Sequence, residues 1–204
     1  MLHTNEADPV MKQALGEHWA SLGPSVQAHY SLSPFTNQTL RLKGVMESVS
    51  HSRLAALLIP FTSFFGALIP YSGKNVAVEV TNHSLPDKPG YYWHRSFFFP
   101  GRRPSSFRSV MLFTGDGEVT EFVRFGLGIR IGVSVLNGGV IEKDKGYVWK
   151  IKGLTIPLPI KTMIGESYIE EMPISDNEFE MKMTIIHPLL GETFAYNGRF
   201  SVVV

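Results

Sequence analysis

The sequence predicts a mainly β protein: an antiparallel, barrel-like (lipocalin-like) sheet of about nine or ten strands with helices at its N-terminus. After residue 36, apolar and polar residues alternate with period two, as in strands with one buried and one wet face. Gly, Asp and Asn clusters separate these runs, which is typical of hairpins. Before residue 36, apolar residues recur at helical spacing.

The N-terminal region 1–35 is predicted to be helical. Asp8 is a candidate N-cap, with Pro9 at the first helical position. Its apolar stripe consists of Met11, Leu15, Trp19 and Leu22. Gly23 and Pro24 end this helix, and a second short helix is predicted over 25–30.

The remaining part, 36–204, contains the strand signals. The runs are 40–46, 76–80, 93–99, 106–113, 119–125, 129–135, 147–151, 165–172, 179–185 and 194–202. This number is close to that which closes a barrel able to hold a small ligand. Residues 156–160, with two prolines, are interpreted as an extended connector. An α+β fold with a curved, helix-grip-like sheet remains the alternative.

The amino-acid composition argues against several classes of function. Hydrophobic residues make up 44% and charged residues 18%, which is typical of a globular chain, and no linker divides residues 1–204, so we expect a single domain. A net charge of +1 gives no electrostatic footprint for nucleic acid. The chain has no cysteine, and its histidines form no ligand motif, so we expect neither a metal nor another cofactor.

One long apolar run, 54–71, bears on location. It contains no charge, but Pro60 interrupts it, so a short helix over 52–59 followed by a buried or membrane-touching loop is expected rather than a spanning helix. The polar residues 1–8 do not resemble a secretory signal, which favours a cytoplasmic location.

The stretch 93–99 sets a permanent cation inside an aromatic strand. Alternation places Trp93, Arg95 and Phe97 on one face of this strand. An arginine on an apolar face needs an anion, because an unpaired buried charge costs several kcal/mol. That anion is either an internal acid, such as Glu121 or Glu166, or the head group of a ligand.

We therefore expect a set of pocket-lining residues around Arg95. The candidates are Trp93, Arg95, Phe97, Glu121, Trp149, Glu166, Tyr168, His187 and Tyr196. Three of them, Glu121, Glu166 and His187, are also candidate catalytic groups, since burial raises the pKa of a carboxyl group and a histidine at a strand end can act as a general base. A histidine with a purely structural role is the alternative.

Several segments together resemble a known family. They are 15–29, 93–97, 121–126, 157–159, 165–166 and 187–198. Their order and spacing are similar to the bacterial domain-of-unknown-function family DUF4166, over residues 12–203. The resemblance implies no activity. In some members a similar domain is fused to an NAD-binding, saccharopine-dehydrogenase-like domain or to membrane segments, which implies a role beside an oxidoreductase or a membrane.

Three functional hypotheses follow. The first is a module that binds an amphipathic or hydrophobic small molecule, with Arg95 at its head group. The second is a structural or interaction domain that contacts a membrane or a protein through 54–71. The third is a hydrolase or isomerase that uses Glu121 or Glu166 with His187.

Overall fold

The computed structural model describes residues 8–53 and 69–203. Its short α-helices are α1 Val10–Leu15, α2 Pro24–His29 and α3 Lys161–Ile164. Its first six strands are β1 Thr39–His51, β2 Gly73–Ser84, β3 Gly90–Phe98, β4 Ser105–Gly115, β5 Glu118–Phe122 and β6 Leu127–Leu136. The others are β7 Gly139–Ile151, β8 Leu154–Leu158, β9 Glu166–Pro173, β10 Glu178–His187 and β11 Gly191–Val203.

Ten of these strands form a closed antiparallel barrel. β1 to β6 follow one another, β11 pairs with β1, and β10 and β9 continue the sheet to β7, which closes the ring against β6. The predicted mainly β, barrel-like fold is thus confirmed. The additional strand β8 pairs only with the C-terminal part of β7, residues 147–151. The prediction of an extended connector over 156–160 is therefore wrong in part, because residues 156–158 belong to β8. A proline is tolerated on such an edge strand.

The N-terminal helices close one end of the barrel. The predicted long helix ends early, because Gly16 has a φ of 56°, and a 3-10 helix, Gly16–Ser21, follows α1. The second predicted helix is present as α2. Two backbone hydrogen bonds attach this region to hairpin turns: Gly117 N donates to Ala14 O and Gly23 N to Gly138 O, both at 2.8 Å. We call this the helical end.

The opposite end, here the distal end, is built from turns. It comprises a 3-10 helix between β5 and β6 (Arg124–Gly126), the β7–β8 hairpin, α3 and the β10–β11 turn. The described flanks of the connection from β1 to β2, residues 52–53 and 69–72, also lie here. Most of the segment 54–71 and of the helix predicted over 52–59 falls outside the described residues. Among the helices that the model describes, none is long and apolar enough to cross a bilayer.

His51 holds together the two described flanks of that connection. Its Nε2 donates to the Ile69 carbonyl at 2.7 Å, and its Nδ1 lies 2.8 Å from the Ser72 hydroxyl. Burial lowers the pKa of His51, so the neutral ring accepts from Ser72 at Nδ1 while donating at Nε2. A neutral histidine thus fixes the start of β2 against the end of β1.

Candidate functional site

A cavity of about 350 Å³ lies inside the barrel, between α2 and the distal end. Its walls are the inward faces of the strands, and most of the lining side chains are apolar; they include Leu42, Val78, Phe97, Ile129, Met181, Met183, Ile185 and Phe194. Small-molecule pockets span roughly 300–1,000 Å³. At the ~30 Å³ that a water occupies in the liquid, this space holds roughly a dozen non-hydrogen atoms.

Arg95 projects into this cavity from β3. Its Nη1 donates to Glu121 Oε1 at 2.8 Å and to Ser109 Oγ at 3.1 Å. The guanidinium carbon lies 3.8 Å from the centroid of the Trp93 ring and 5.0 Å from that of Phe107. The cation is therefore held by one carboxylate and by two aromatic faces.

Arg95 keeps part of its hydrogen-bonding capacity free. A guanidinium has five N–H donors, and Nε and Nη2 form no hydrogen bond with any of the described residues. Burial alone would lower the pKa of Arg95, but the charge of Glu121 and its hydrogen bond raise it above the usual value. A permanent cation thus presents unused donors in an apolar cavity.

Helix α2 supplies a second polar group at the inner end of the cavity. His29 Nδ1 lies 2.8 Å from Glu171 Oε2, and both side chains are almost completely buried. The Tyr30 hydroxyl, directly after α2, donates to Glu142 Oε1 at 3.0 Å. The His29 ring stacks on Phe179, with centroids 4.9 Å apart. These contacts fix α2 across the barrel and make the inner end polar.

Glu142 has an unusual protonation behaviour. Burial, with a further contribution from the charge of Glu171, raises its pKa to about 8. Glu142 is therefore protonated near neutral pH. Burial and the same carboxyl groups also raise the pKa of Tyr30 well above its usual value, so its hydroxyl remains a donor.

The ionisable groups in this part of the cavity face partners. Arg95 lies against Glu121, and His29 Nδ1 lies 2.8 Å from Glu171 Oε2. The third carboxyl group, Glu142, carries a proton. Lys143 touches the wall, but its ammonium lies 5.7 Å from the outward-facing Tyr168 ring. A charged ligand group would find no unpaired counter-charge here.

Six of the nine candidate residues line the cavity and three do not. Those at the cavity are Trp93, Arg95, Phe97, Glu121, Trp149 and Tyr196. Glu166 is 72% exposed and forms an ion pair with Lys161 at 3.2 Å. Tyr168 donates to Glu170 at 2.7 Å on the outer face of β9. His187 Nδ1 accepts from the backbone N–H of Leu189 at the exposed end of β10.

The reason for this difference is the side-chain parity of β9. Ser167, Ile169 and Glu171 face inwards, so Glu166 and Tyr168 face outwards. The expectation that Glu166, Tyr168 and His187 lie with Arg95 is therefore wrong. Glu121 likewise shares no site with Glu166 or His187, so the catalytic combination proposed from the sequence is not assembled.

Sequence reasoning missed His29, Tyr30, Glu142 and Glu171. His29 and Tyr30 lie in and just after a short helix, whose insertion into a barrel leaves no periodic signal. Glu142 did have a periodic signal in the sequence, because it shares a face with Val140. The first residues of this strand are all buried. In β9, acids occur on both faces, so alternation alone could not show that Glu171 is the buried one.

The fold and the site define a closed β-barrel domain with an internal, largely apolar cavity. A family model described as "Domain of unknown function (DUF4166)" matches residues 22–200, so the chain belongs to this family. None of the curated proteins matches the chain. Among solved structures, the crystal structure of Rv2717c from M. tuberculosis is similar, with 11% identity and a TM-score of 0.45 over 90% of this chain and 99% of that one.

Proposed function

We propose that the barrel binds an elongated, uncharged amphipathic small molecule, with its polar end at Arg95 and its apolar part along the cavity. The observation that supports this most is a cavity of about 350 Å³ in which unused guanidinium donors meet apolar walls. Unfilled apolar volume lowers stability by roughly 24 cal/mol per Å³ in truncated cores. An occupant that covers these walls would recover part of that stability.

The pairing of the internal charges favours an uncharged head group. A ligand carboxylate would compete with Glu121 for Arg95 and leave one anion without a partner, which is costly at a buried site. A ligand ammonium would meet the Arg95 cation. A hydroxyl or carbonyl oxygen instead accepts from Nε or Nη2 and adds no charge.

The direct test is calorimetric titration near neutral pH with three probes of the same chain length: 1-decanol, decanoate and decylammonium. The protein should bind 1-decanol, and each charged probe at least ~tenfold more weakly, a difference of about 1.4 kcal/mol. If none of the three binds, the proposed function is wrong. If a charged probe binds better than the alcohol, binding is correct but the head-group assignment is not.

A matched pair of variants locates the binding. Ile129→Trp adds bulk at the cavity wall and should abolish binding of 1-decanol. Val45→Trp adds the same bulk on the exposed outer face of β1 and should leave binding unchanged. Loss of binding in both variants, or in neither, would place the probe outside the cavity.

A further inference from the structure

Among the described residues, the large apolar side chains with the highest exposure lie at the distal end of the barrel. Four apolar residues are at least 61% exposed there: Phe125 61%, Met163 66%, Leu154 70% and Leu189 87%. Within the described residues, no large hydrophobic side chain at the helical end reaches this exposure. Exposed apolar groups gathered in one region mark an interaction surface.

These four residues belong to neighbouring elements. The Trp149 indole of β7 donates to the Phe125 carbonyl at 2.8 Å, which joins the β5–β6 connection to the β7–β8 hairpin that carries Leu154. The α3 helix with Met163 ends at Gly165, where an added Cβ would lie 2.7 Å from the Ile186 carbonyl. Ile186 precedes the turn with Leu189, so the elements that carry the four side chains follow one another in an arc around the distal end.

Basic residues surround this arc. The loops and strand ends of the distal end carry Arg53, Lys74, Arg102, Arg103, Arg124, Lys150, Lys152 and Lys161. The acidic residues in the same described loops and strand ends are Glu166 and Glu192. At the helical end the inter-strand turns instead carry Asp87, Asp116 and Asp176, with Lys88 paired to Asp87. The charge of the molecule is therefore polarised along the barrel axis.

We propose that the distal end docks on an anionic lipid bilayer. Apolar side chains at this end enter the boundary between head groups and acyl chains, while the surrounding arginines and lysines lie at the anionic head groups. A second copy of the chain fits the surface poorly, since two such ends would bring eight basic residues against the same eight. The proposal does not depend on what the cavity binds.

The test is co-sedimentation of the full chain with phosphatidylcholine vesicles, with and without phosphatidylserine. The protein should sediment with the mixed vesicles and bind pure phosphatidylcholine at least ~tenfold more weakly. High salt should release it, because screening shortens the reach of surface charges. If the protein ignores mixed vesicles, or binds both kinds equally, the proposal is wrong.

Paired variants separate this surface from a general effect of added charge. Leu154→Glu combined with Leu189→Glu should lower vesicle affinity at least ~tenfold. The control combines Leu136→Glu with Ile174→Glu, which are 49% and 48% exposed at the helical end, and should bind as the wild type does. Unchanged binding by the first pair, or loss in the control, contradicts the proposal.

Two further outcomes are decisive. Replacing Arg103 and Lys152 by Gln leaves the apolar arc intact and should weaken binding to the mixed vesicles only. If the wild type forms a dimer that the Leu154→Glu and Leu189→Glu pair dissociates, and binds no vesicles, the surface is an interface between two copies instead.

Discussion

In the proposed function, the ion pair of Arg95 and Glu121 would determine which ligands the cavity accepts. Because one carboxylate already neutralises the guanidinium at 2.8 Å, the remaining donors of Arg95 favour an uncharged acceptor. The pair would thus act as a polar anchor without net charge. In this proposal, selectivity depends on the counter-charge of Glu121 rather than on the shape of the cavity.

Removing that counter-charge should reverse the selectivity. Glu121→Gln keeps an amide oxygen that can accept from Nη1 of Arg95 but leaves the cation unpaired. Decanoate should then bind at least ~tenfold more tightly than it binds the wild type, while 1-decanol changes little. Calorimetric titration of both probes measures this.

A suitable control is Glu118→Gln on the same strand. Glu118 pairs with Arg130 at 2.7 Å on the outer face of the barrel. This variant should bind both probes as the wild type does. If Glu121→Gln binds decanoate no better than the wild type, the head-group argument fails even if 1-decanol binds.

Glu142 should make stability depend on pH. Its pKa is raised from 4.5 to about 8 in the folded state. Below 4.5, both folded and unfolded chains keep the proton, so it has no effect. Between 4.5 and about 8 only the folded chain keeps it, so stability falls as pH rises, by at most about 1.4 kcal/mol per unit. Above 8 the loss is complete.

Glu142→Gln removes this titration and still accepts from the Tyr30 hydroxyl. Urea unfolding across that pH window should therefore show the variant gaining stability relative to the wild type as pH rises. Glu79→Gln, at an exposed position on β2, should show the same change of stability with pH as the wild type. Parallel curves for Glu142→Gln would show that Glu142 is already ionised in the folded protein.

At the scale of the elements, the connection between β5 and β6 requires glycine at residue 126. Gly126 has a φ of 77°, and a Cβ there would overlap the Lys150 carbonyl oxygen of β7. Gly101 has a similar φ of 69°, but nothing lies within 4 Å of its Cβ position. The two positions therefore separate backbone strain from close packing.

Gly101→Ala should destabilise the fold by about 1 kcal/mol, the typical cost of placing a side chain in the left-handed region. Gly126→Ala should cost roughly 1–3 kcal/mol more, because the β7 backbone must move. Urea unfolding of both variants measures the difference. Equal losses would mean that β7 does not approach the turn as closely as described here.

The strands could be predicted from the sequence. In a barrel wall, side chains alternate between the interior and the solvent, so apolar and polar residues alternate along each strand. In β10, Phe179, Met181 and Met183 follow this rule, and all three line the cavity. The helix boundaries were less accurate, since Gly16 breaks a stripe that continues apolar to Leu22. β8 was missed because Pro157 within it and Pro159 just after it weaken the strand signal of a segment that pairs with β7 in the structure.

For the molecule as a whole, closure of the sheet arranges polar and apolar side chains in order along the barrel axis. At one end, α2 brings His29 against the buried carboxyl group of Glu171 on β9. Apolar side chains surround the cavity, and an apolar and basic rim completes the distal end. Part of this arrangement could be predicted, since Trp93, Arg95 and Glu121 share inward faces. Which acid pairs with Arg95 depends on the register between strands distant in sequence, which no local pattern encodes.

Ligand binding should stabilise the whole barrel. A molecule that binds only the folded state adds RT ln(1 + [L]/Kd), about 2.7 kcal/mol at a hundredfold excess over Kd. The midpoint of thermal unfolding should therefore rise with added 1-decanol in the wild type. The cavity-filling variant Ile129→Trp should show no such shift.

A crystal structure of the complex with 10-bromo-1-decanol is the most direct test of the proposed ligand binding at Arg95. The anomalous signal of bromine marks the apolar end of the probe, and the density marks the hydroxyl. We expect the hydroxyl within about 3 Å of Arg95 Nε or Nη2, with bromine further along the cavity towards the distal end. Bromine beside His29, or a cavity without the probe at saturating concentration, would contradict it.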